Sequence, residues 1–133
     1  MMKLEHIGIA VKNLEASNEL FRVLFDTPHY KVESVESEHV STSFFKTGES
    51  KIELLEATDP NSPIAKFIDK KGEGVHHLAF EVVDIDFELK RLQAEGFQLI
   101  HETPKDGADN KRIAFLHPKS TNGVLIELCQ EKG

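Results

Sequence analysis

Two histidines and two glutamates recur at matching places in the two halves of this chain. Aligned without a gap, HIGIAVKNLEASNELF and HLAFEVVDIDFELKRL set His6 against His77, while SKIELLE and GVLIELCQ set Glu53 against Glu127. Such self-similarity indicates two copies of one structural module. Imidazole nitrogens and carboxylate oxygens suit a divalent cation such as cobalt, zinc, nickel, manganese or magnesium. The repeat therefore predicts one metal centre that takes ligands from both halves.

The alternation of side chains along a strand selects the same two histidines. Successive strand residues point to opposite faces, so the neighbours His76 and His77 cannot have the same role. His6 shares its face with Gly8, and His77 shares its face with Ala79, while the large apolar neighbours point the other way. We expect the apolar face to pack on helices and the face with small residues to leave room for a ligand. His76 then lies at the edge of the helix-packed face.

The two glutamates lie inside apolar strands. Glu53 stands in KIELL and Glu127 in LIEL, each on the face opposite its apolar neighbours. A carboxylate is costly to bury alone, so a compensating cation is expected. A single strand histidine is usually a packing or surface residue, and a single glutamate is usually solvated. The repeated pairing of both residue types favours the metal site.

Hydrophobic periodicity predicts the order βαβββ in each half. In the first half we expect a helix capped by Asn13 over 14–25 and strands at 4–11, 30–35, 40–46 and 51–56. In the second half we expect a helix capped by Asp84 that stops at Gly96, and strands at 75–82 and near 97–101, 111–117 and 123–129. Between the halves, Asn61 or Ser62 caps a linker helix.

These elements predict an α+β fold. Eight strands form a mixed sheet with the helices on one face. The chain has 133 residues, which is the size of one ordinary domain. We therefore expect a single domain over 1–133, with module one at about 4–56, the linker helix at about 57–73 and module two at about 74–130.

Composition narrows the class of partner and the compartment. Lysine and arginine total 16 against 23 acidic residues, a net charge of -7, which disfavours nucleic acid and anionic membranes. No apolar run approaches the roughly 20 residues that span a bilayer. The single cysteine, Cys129, excludes an intrachain disulfide and suits a reducing compartment. We expect a cytoplasmic protein, and without an activating partner Cys129 is interpreted as structural.

Nearly the whole chain resembles a known enzyme family. HIGIAV, SPIAKF followed by GVHHLAF, and FLHPKSTNGVLIEL are similar to segments of the methylmalonyl-CoA epimerases, members of the vicinal oxygen chelate (glyoxalase/bleomycin resistance/dioxygenase) superfamily. The resemblance implies two βαβββ modules that form an open cup. It also implies a small-molecule acyl-CoA substrate and a homodimer.

The resemblance also implies a site and a reaction. One divalent metal ion is held by His6, Glu53, His77 and Glu127, and R and S epimers interconvert by proton abstraction and return through a metal-stabilised enolate. Glu127 is then a proton-transfer group as well as a ligand. Some relatives carry a second catalytic glutamate where this chain has Thr42, so Glu53 or a metal-bound water is the substitute.

Contacts to the phosphates of coenzyme A need cations. The segments TPKDGADNKR and HPKS supply them in the second half. The candidates are Lys105, Lys111, Arg112 and Lys119. Ordinary solvated turn residues are the alternative interpretation for each of them.

Two other functions compete with the epimerase. A lactoylglutathione lyase of the glyoxalase I type would use the same four ligands, and it resembles this chain in having glutamate at position 53, where many epimerases have glutamine. A metal-free ligand-binding or resistance module of the same fold would not need two histidines and two glutamates. The segment FLHPKSTNGVLIEL favours the epimerase.

Overall fold

The computed structural model describes residues 2–133. The strands β1 to β8 are, in chain order, Lys3–Ala10, Lys31–Val35, Val40–Thr47, Ser50–Ala57, Gly74–Glu81, Lys105–Asp106, Lys111–Leu116 and Ile126–Glu131. The helices α1 to α3 are Leu14–Phe25, Pro63–Lys71 and Ile85–Ala94. Short 3-10 turns lie at Glu36–Glu38 and Pro118–Thr121. Within the described residues, no helix is long and apolar enough to cross a membrane.

All eight described strands belong to one mixed sheet. In the first half the order is β2-β3-β4-β1, and in the second half it is β5-β8-β7-β6. The pairs β1–β4 and β5–β8 are parallel, and the pairs β2–β3, β3–β4, β6–β7 and β7–β8 are antiparallel. Each half therefore contributes four adjacent strands with the same pattern of pairing. The predicted α+β fold, with two βαβββ modules and an eight-stranded sheet, is confirmed. The prediction that the helices lie on one face is wrong for α2, because its Ile64 packs with Ala10 and Leu55 on the face that carries Glu53.

Contacts divide the described residues into two compact units. The first unit is His6–His76, and the second unit combines the residues up to Glu5 with His77–Gly133. The division falls between the two neighbouring histidines, close to the module boundary expected near residue 74. The single domain over 1–133 stays a prediction.

Helix α1 covers one sheet face of the first unit. It has the predicted bounds, and Asn13 caps it because its side-chain oxygen accepts the Ala16 N–H at 2.8 Å. Its apolar side chains pack on Phe45 and Leu54, which are 1% and 0% exposed. Since strand residues alternate, Glu53 is left on the face away from α1.

Helix α2 is the predicted linker helix, shorter than the span expected at 57–73. Of the two possible caps, the structure uses Ser62, whose hydroxyl accepts the Ile64 N–H at 3.1 Å. The ring of Phe67 projects from this helix onto His76, and the helix ends at Gly72. Glycine suits that position because φ is +79°.

Helix α3 covers one sheet face of the second unit. Asp84 caps it by accepting the Phe87 N–H at 3.1 Å. Leu89, 2% exposed, belongs to the core cluster that includes Leu128, which is 1% exposed. Burying Leu128 beneath the helix leaves Glu127 on the opposite face.

The prediction of a strand near 97–101 is wrong. The sixth strand, β6, lies later in the chain, at Lys105–Asp106. Leu99 makes a single bridge with Leu116. Beyond it, the Phe115 carbonyl accepts two successive N–H groups, the second from His101 at 3.4 Å. The His101 ring accepts the Phe115 N–H at 3.1 Å, which is the donor that a continuing strand would use. An imidazole thus replaces the next backbone pair, and the ladder stops.

The last strand begins later than the predicted 123–129. Asn122 and Gly123 have φ angles of +56° and +86°, a left-handed turn that strand backbone does not adopt. The Thr121 hydroxyl donates to the Val124 carbonyl and holds this turn. The strand therefore starts only at Ile126.

Candidate active site

The first unit contains a buried histidine–glutamate pair. In the parallel β1–β4 ladder Gly8 lies opposite Glu53, and His6 is two residues earlier on the same face. The His6 Nδ1 atom is 3.0 Å from the Glu53 Oε2 atom, and both side chains are 6% exposed. Gly8 has no side chain to occupy the space beside the pair.

The second unit contains the equivalent pair. Ala79 lies opposite Glu127 in the parallel β5–β8 ladder, and His77 is two residues earlier. The His77 Nε2 atom is 3.1 Å from the Glu127 Oε1 atom, with both side chains 7% exposed. In each unit, a histidine, a small residue two positions on and a glutamate on the parallel neighbour form the same arrangement.

A phenylalanine flanks each pair. Phe44 lies opposite Glu53 in the β3–β4 ladder, and Phe115 lies opposite Glu127 in the β7–β8 ladder. Phe44 is fully buried. The Phe115 and His77 rings meet edge to face, with their centroids 5.7 Å apart. These apolar rings keep water from the carboxylates, which strengthens electrostatic interactions there.

The donor set fits a divalent cation. As whole residues, the four candidate ligands are 5% or 6% exposed; they are His6, Glu53, His77 and Glu127. Among the described residues, each of the four belongs to a buried three-residue group that could hold a metal ion, and one of these groups also contains Glu5. With neutral imidazoles the carboxylates are buried negative charges that need a cation. With protonated imidazoles each pair is a buried ion pair, whose desolvation cost often exceeds its attraction.

His76 has a different environment from His77. His76 is half-buried. Its ring and the Phe67 ring meet edge to face, with their centroids 4.9 Å apart. The contact is made with the linker helix α2, which packs on Ala10 and Leu55, so the expected place of His76 at the edge of the helix-packed face stays a prediction. The pair with Glu127 is made by His77 alone of the two.

Sequence reasoning missed two acidic residues. Glu5, directly before His6, is 7% exposed. Glu33 on β2 lies opposite Thr42 of β3, and Thr42 is 2% exposed. An acidic residue inside a strand pattern was the available signal in both cases. The strand that pairs with such a residue, and the register of that pairing, cannot be inferred from the sequence of one strand.

Two of the four cations proposed for coenzyme A contact carboxylates of their own unit. The Lys111 Nζ atom is 3.2 Å from the Glu131 carboxylate, and Lys111 is 6% exposed. Arg112 lies 3.2 Å from Asp86. Lys119 is exposed in the turn after β7, and a contact of these cations with phosphate stays a prediction.

Cys129 is a packing residue in this structure. It is 0% exposed, and its thiol donates to the Phe80 carbonyl at 3.6 Å. Burial, with a smaller effect from the Glu127 charge, raises the pKa of the thiol well above its usual range. A thiol held protonated is a poor nucleophile.

Comparisons with known proteins give the chain its relatives. Residues 5–115 match the model of the Glyoxalase/Bleomycin resistance protein/Dioxygenase superfamily. The mitochondrial methylmalonyl-CoA epimerase of Dictyostelium discoideum is 42% identical over 95% of this chain and 76% of that protein. The uncharacterized protein YqjC of Bacillus subtilis is 40% identical over 100% of this chain and 95% of that protein. A solved methylmalonyl-CoA epimerase, in complex with methylmalonyl-CoA and NH4+, superposes with a TM-score of 0.95 at 34% identity, covering 100% of this chain and 96% of that one.

Proposed function

Because this chain belongs to the Glyoxalase/Bleomycin resistance protein/Dioxygenase superfamily, among its methylmalonyl-CoA epimerases, we propose that it interconverts the epimers of methylmalonyl-CoA in a metal-dependent reaction. One observation carries the proposal: each unit has a buried histidine–glutamate pair at the same place in its module. The complex of a relative with methylmalonyl-CoA supports an acyl-CoA ligand. The proposed working form is a homodimer in the cytoplasm.

The proposed ligands of one divalent ion are His6, Glu53, His77 and Glu127. Two nitrogen and two oxygen donors would leave positions for substrate or water on an ion that takes six ligands, such as magnesium. When bound, the ion supplies positive charge to the thioester oxygen as negative charge develops on that atom. The choice among cobalt, zinc, nickel, manganese and magnesium is open to measurement.

Glu127 is the proposed proton-transfer group on one side of the substrate. The α-carbon of methylmalonyl-CoA lies between a thioester and a carboxylate, so its proton leaves when the electron pair can move to the thioester oxygen. A carboxylate within hydrogen-bond reach accepts that proton. Return of a proton to the opposite face inverts the configuration. If only residues of the metal site take part, the second proton-transfer group is Glu53.

One feature favours a second candidate function. The resemblance to the superfamily implies that glyoxalase I lyases, unlike many epimerases, have a glutamate where this chain has Glu53. A lyase also moves a proton between neighbouring carbons. The relatives named as epimerases favour the first function. A metal-free ligand-binding module is the third alternative, and four buried metal donors argue against it.

A direct assay separates these functions. Protein loaded with each metal in turn is given one epimer of methylmalonyl-CoA, and formation of the other epimer is followed against chelator-treated protein. Epimer formation that needs the metal supports the proposal. Turnover of the methylglyoxal–glutathione adduct without epimerisation would replace it with the lyase. Ligand binding without either turnover would leave a binding module.

A further inference from the structure

We infer that Glu33, rather than Glu53, is the second proton-transfer group of the proposed reaction. This inference rests on the proposed epimerase function. Inversion at one carbon needs a proton taken from one face and returned to the other. A second proton carrier is therefore required, and the strands of the first unit are where we sought it.

The register of the ladders puts Glu33 on the same face as Glu53. Directly opposite residues of antiparallel strands share a face. Glu33 lies opposite Thr42, and Phe44, two residues further along β3, lies opposite Glu53. Strands are spaced by about 4.8 Å, so two spacings separate β2 from β4 by about 10 Å. Thr42 and the fully buried Phe44 of β3 occupy that interval, so Glu33 would meet the substrate at a different place on this face from Glu53.

Few acidic residues compete for this role in the first unit. Alternation and register assign to this face the strand residues His6, Gly8, Ala10, Lys31, Glu33, Val35, Val40, Thr42, Phe44, Lys46, Lys51, Glu53, Leu55 and Ala57. Within that set, Glu33 and Glu53 are the carboxylates; outside it, the buried Glu5 belongs to a group that could hold a metal ion, so it is assigned to the metal site rather than to proton transfer. Thr42, between them in the sheet, is 2% exposed and has no group that exchanges protons near neutral pH.

The contacts of the two carboxylates suit them to different tasks. Glu53 lies 3.0 Å from His6 with 6% of its side chain exposed, as a metal ligand needs. The Glu33 side chain is 36% exposed, and its Oε1 atom is 3.4 Å from the Lys31 Nζ atom. That ammonium group also lies 4.7 Å from the centre of the Phe44 ring. Lys31 therefore holds the Glu33 carboxylate beside Phe44 while solvent and substrate can still reach it.

The proton transfer balances without another reactant. For one epimer, Glu33 accepts the α-proton, the C–H bond breaks, and its electron pair moves toward the thioester oxygen. Protonated Glu127 then donates to the other face, and the electron pair returns to form the new C–H bond. For the other epimer the two glutamates exchange roles. Solvent resets both carboxyl groups between turnovers.

The test is Glu33→Gln, with Glu36→Gln as the matched control. Glu36 is an exposed glutamate three residues later, in the turn after β2. Each pure epimer is incubated with metal-loaded protein in heavy water, and inversion and deuterium entry at the α-carbon are measured separately. Loss of a proton-transfer group costs about 100-fold or more. We expect Glu33→Gln to invert at least about 100-fold more slowly, while Glu36→Gln inverts at the wild-type rate.

The decisive result is deuterium exchange at the α-carbon without inversion of its configuration. In Glu33→Gln, Glu127 remains, so one epimer still takes up deuterium near the wild-type rate, and the other epimer loses its exchange. Inversion within about threefold of wild type would overturn the role of Glu33, as would an equal loss of exchange from both epimers. Exchange without inversion in Glu53→Gln, with Glu33→Gln fully active, would assign the role to Glu53. A wild-type protein that never exchanges the proton would instead overturn the proposed function.

Discussion

At the scale of single residues, His76 and His77 are separated in environment by strand geometry alone. The His77 Nε2 atom lies 3.1 Å from the Glu127 Oε1 atom, whereas the His76 ring contacts the Phe67 ring of α2. The types of the two residues are identical, so the neighbours decide what each can do. The sequence allowed this separation to be predicted because period-two alternation needs only a strand and its apolar face.

Metal content separates the two histidines by experiment. We expect His77→Ala to lose at least about 100-fold in metal affinity, since even the loss of an outer hydrogen-bond partner of a ligand costs 10- to 100-fold. His76→Ala removes a ring contact and keeps most of the metal. Metal per chain is measured by elemental analysis after dialysis. Equal metal loss from both variants would contradict the face assignment.

Glu53 is expected to act as a ligand rather than as a proton-transfer group. Glu53→Gln keeps an oxygen donor but cannot accept a proton, so we expect bound metal and epimerisation within about tenfold of wild type. Glu53→Ala removes the donor and should lose both metal and activity. Elemental analysis and the epimer assay are run on the same samples. A metal-loaded Glu53→Gln protein with no inversion would show that Glu53 transfers the proton.

At the scale of elements, helix caps were predictable and sheet edges were not. Asn13 and Asp84 cap α1 and α3 as expected, because an N-cap needs only a short polar side chain before an amphipathic run. The segment before β6 has strand-forming residues, yet the His101 ring accepts the Phe115 N–H and interrupts the ladder. That contact joins residues far apart in sequence, so local pattern cannot reveal it.

The cap of α2 gives a stability test. Ser62 is 0% exposed and accepts the Ile64 N–H, whereas the neighbouring Asn61 is exposed. Loss of a serine cap costs about 1 kcal/mol of the free energy of unfolding. We therefore expect Ser62→Ala to lower the free energy of unfolding, measured by urea denaturation, by about 1 kcal/mol, and Asn61→Ala to change it by less than about 0.5 kcal/mol. The opposite order would show that Asn61 is the cap.

At the scale of the whole molecule, the internal repeat is what made the site candidates predictable. Matching halves pointed to His6, Glu53, His77 and Glu127, and the structure pairs them within each unit at 3.0 and 3.1 Å. Glu33 was not predictable, because its relation to Glu53 passes through the registers of two ladders. The order of the strands in the sheet sets such relations, and the local pattern of a single sequence does not reveal that order.

The most direct test of the account is solvent exchange at the substrate's α-carbon. Metal-loaded wild-type protein and a chelator-treated control are incubated with methylmalonyl-CoA in heavy water, and the α-proton signal is followed by nuclear magnetic resonance. The account predicts that the signal disappears with the loaded protein as deuterium enters and both epimers form. An α-proton signal that persists at the rate of the metal-free control would contradict it.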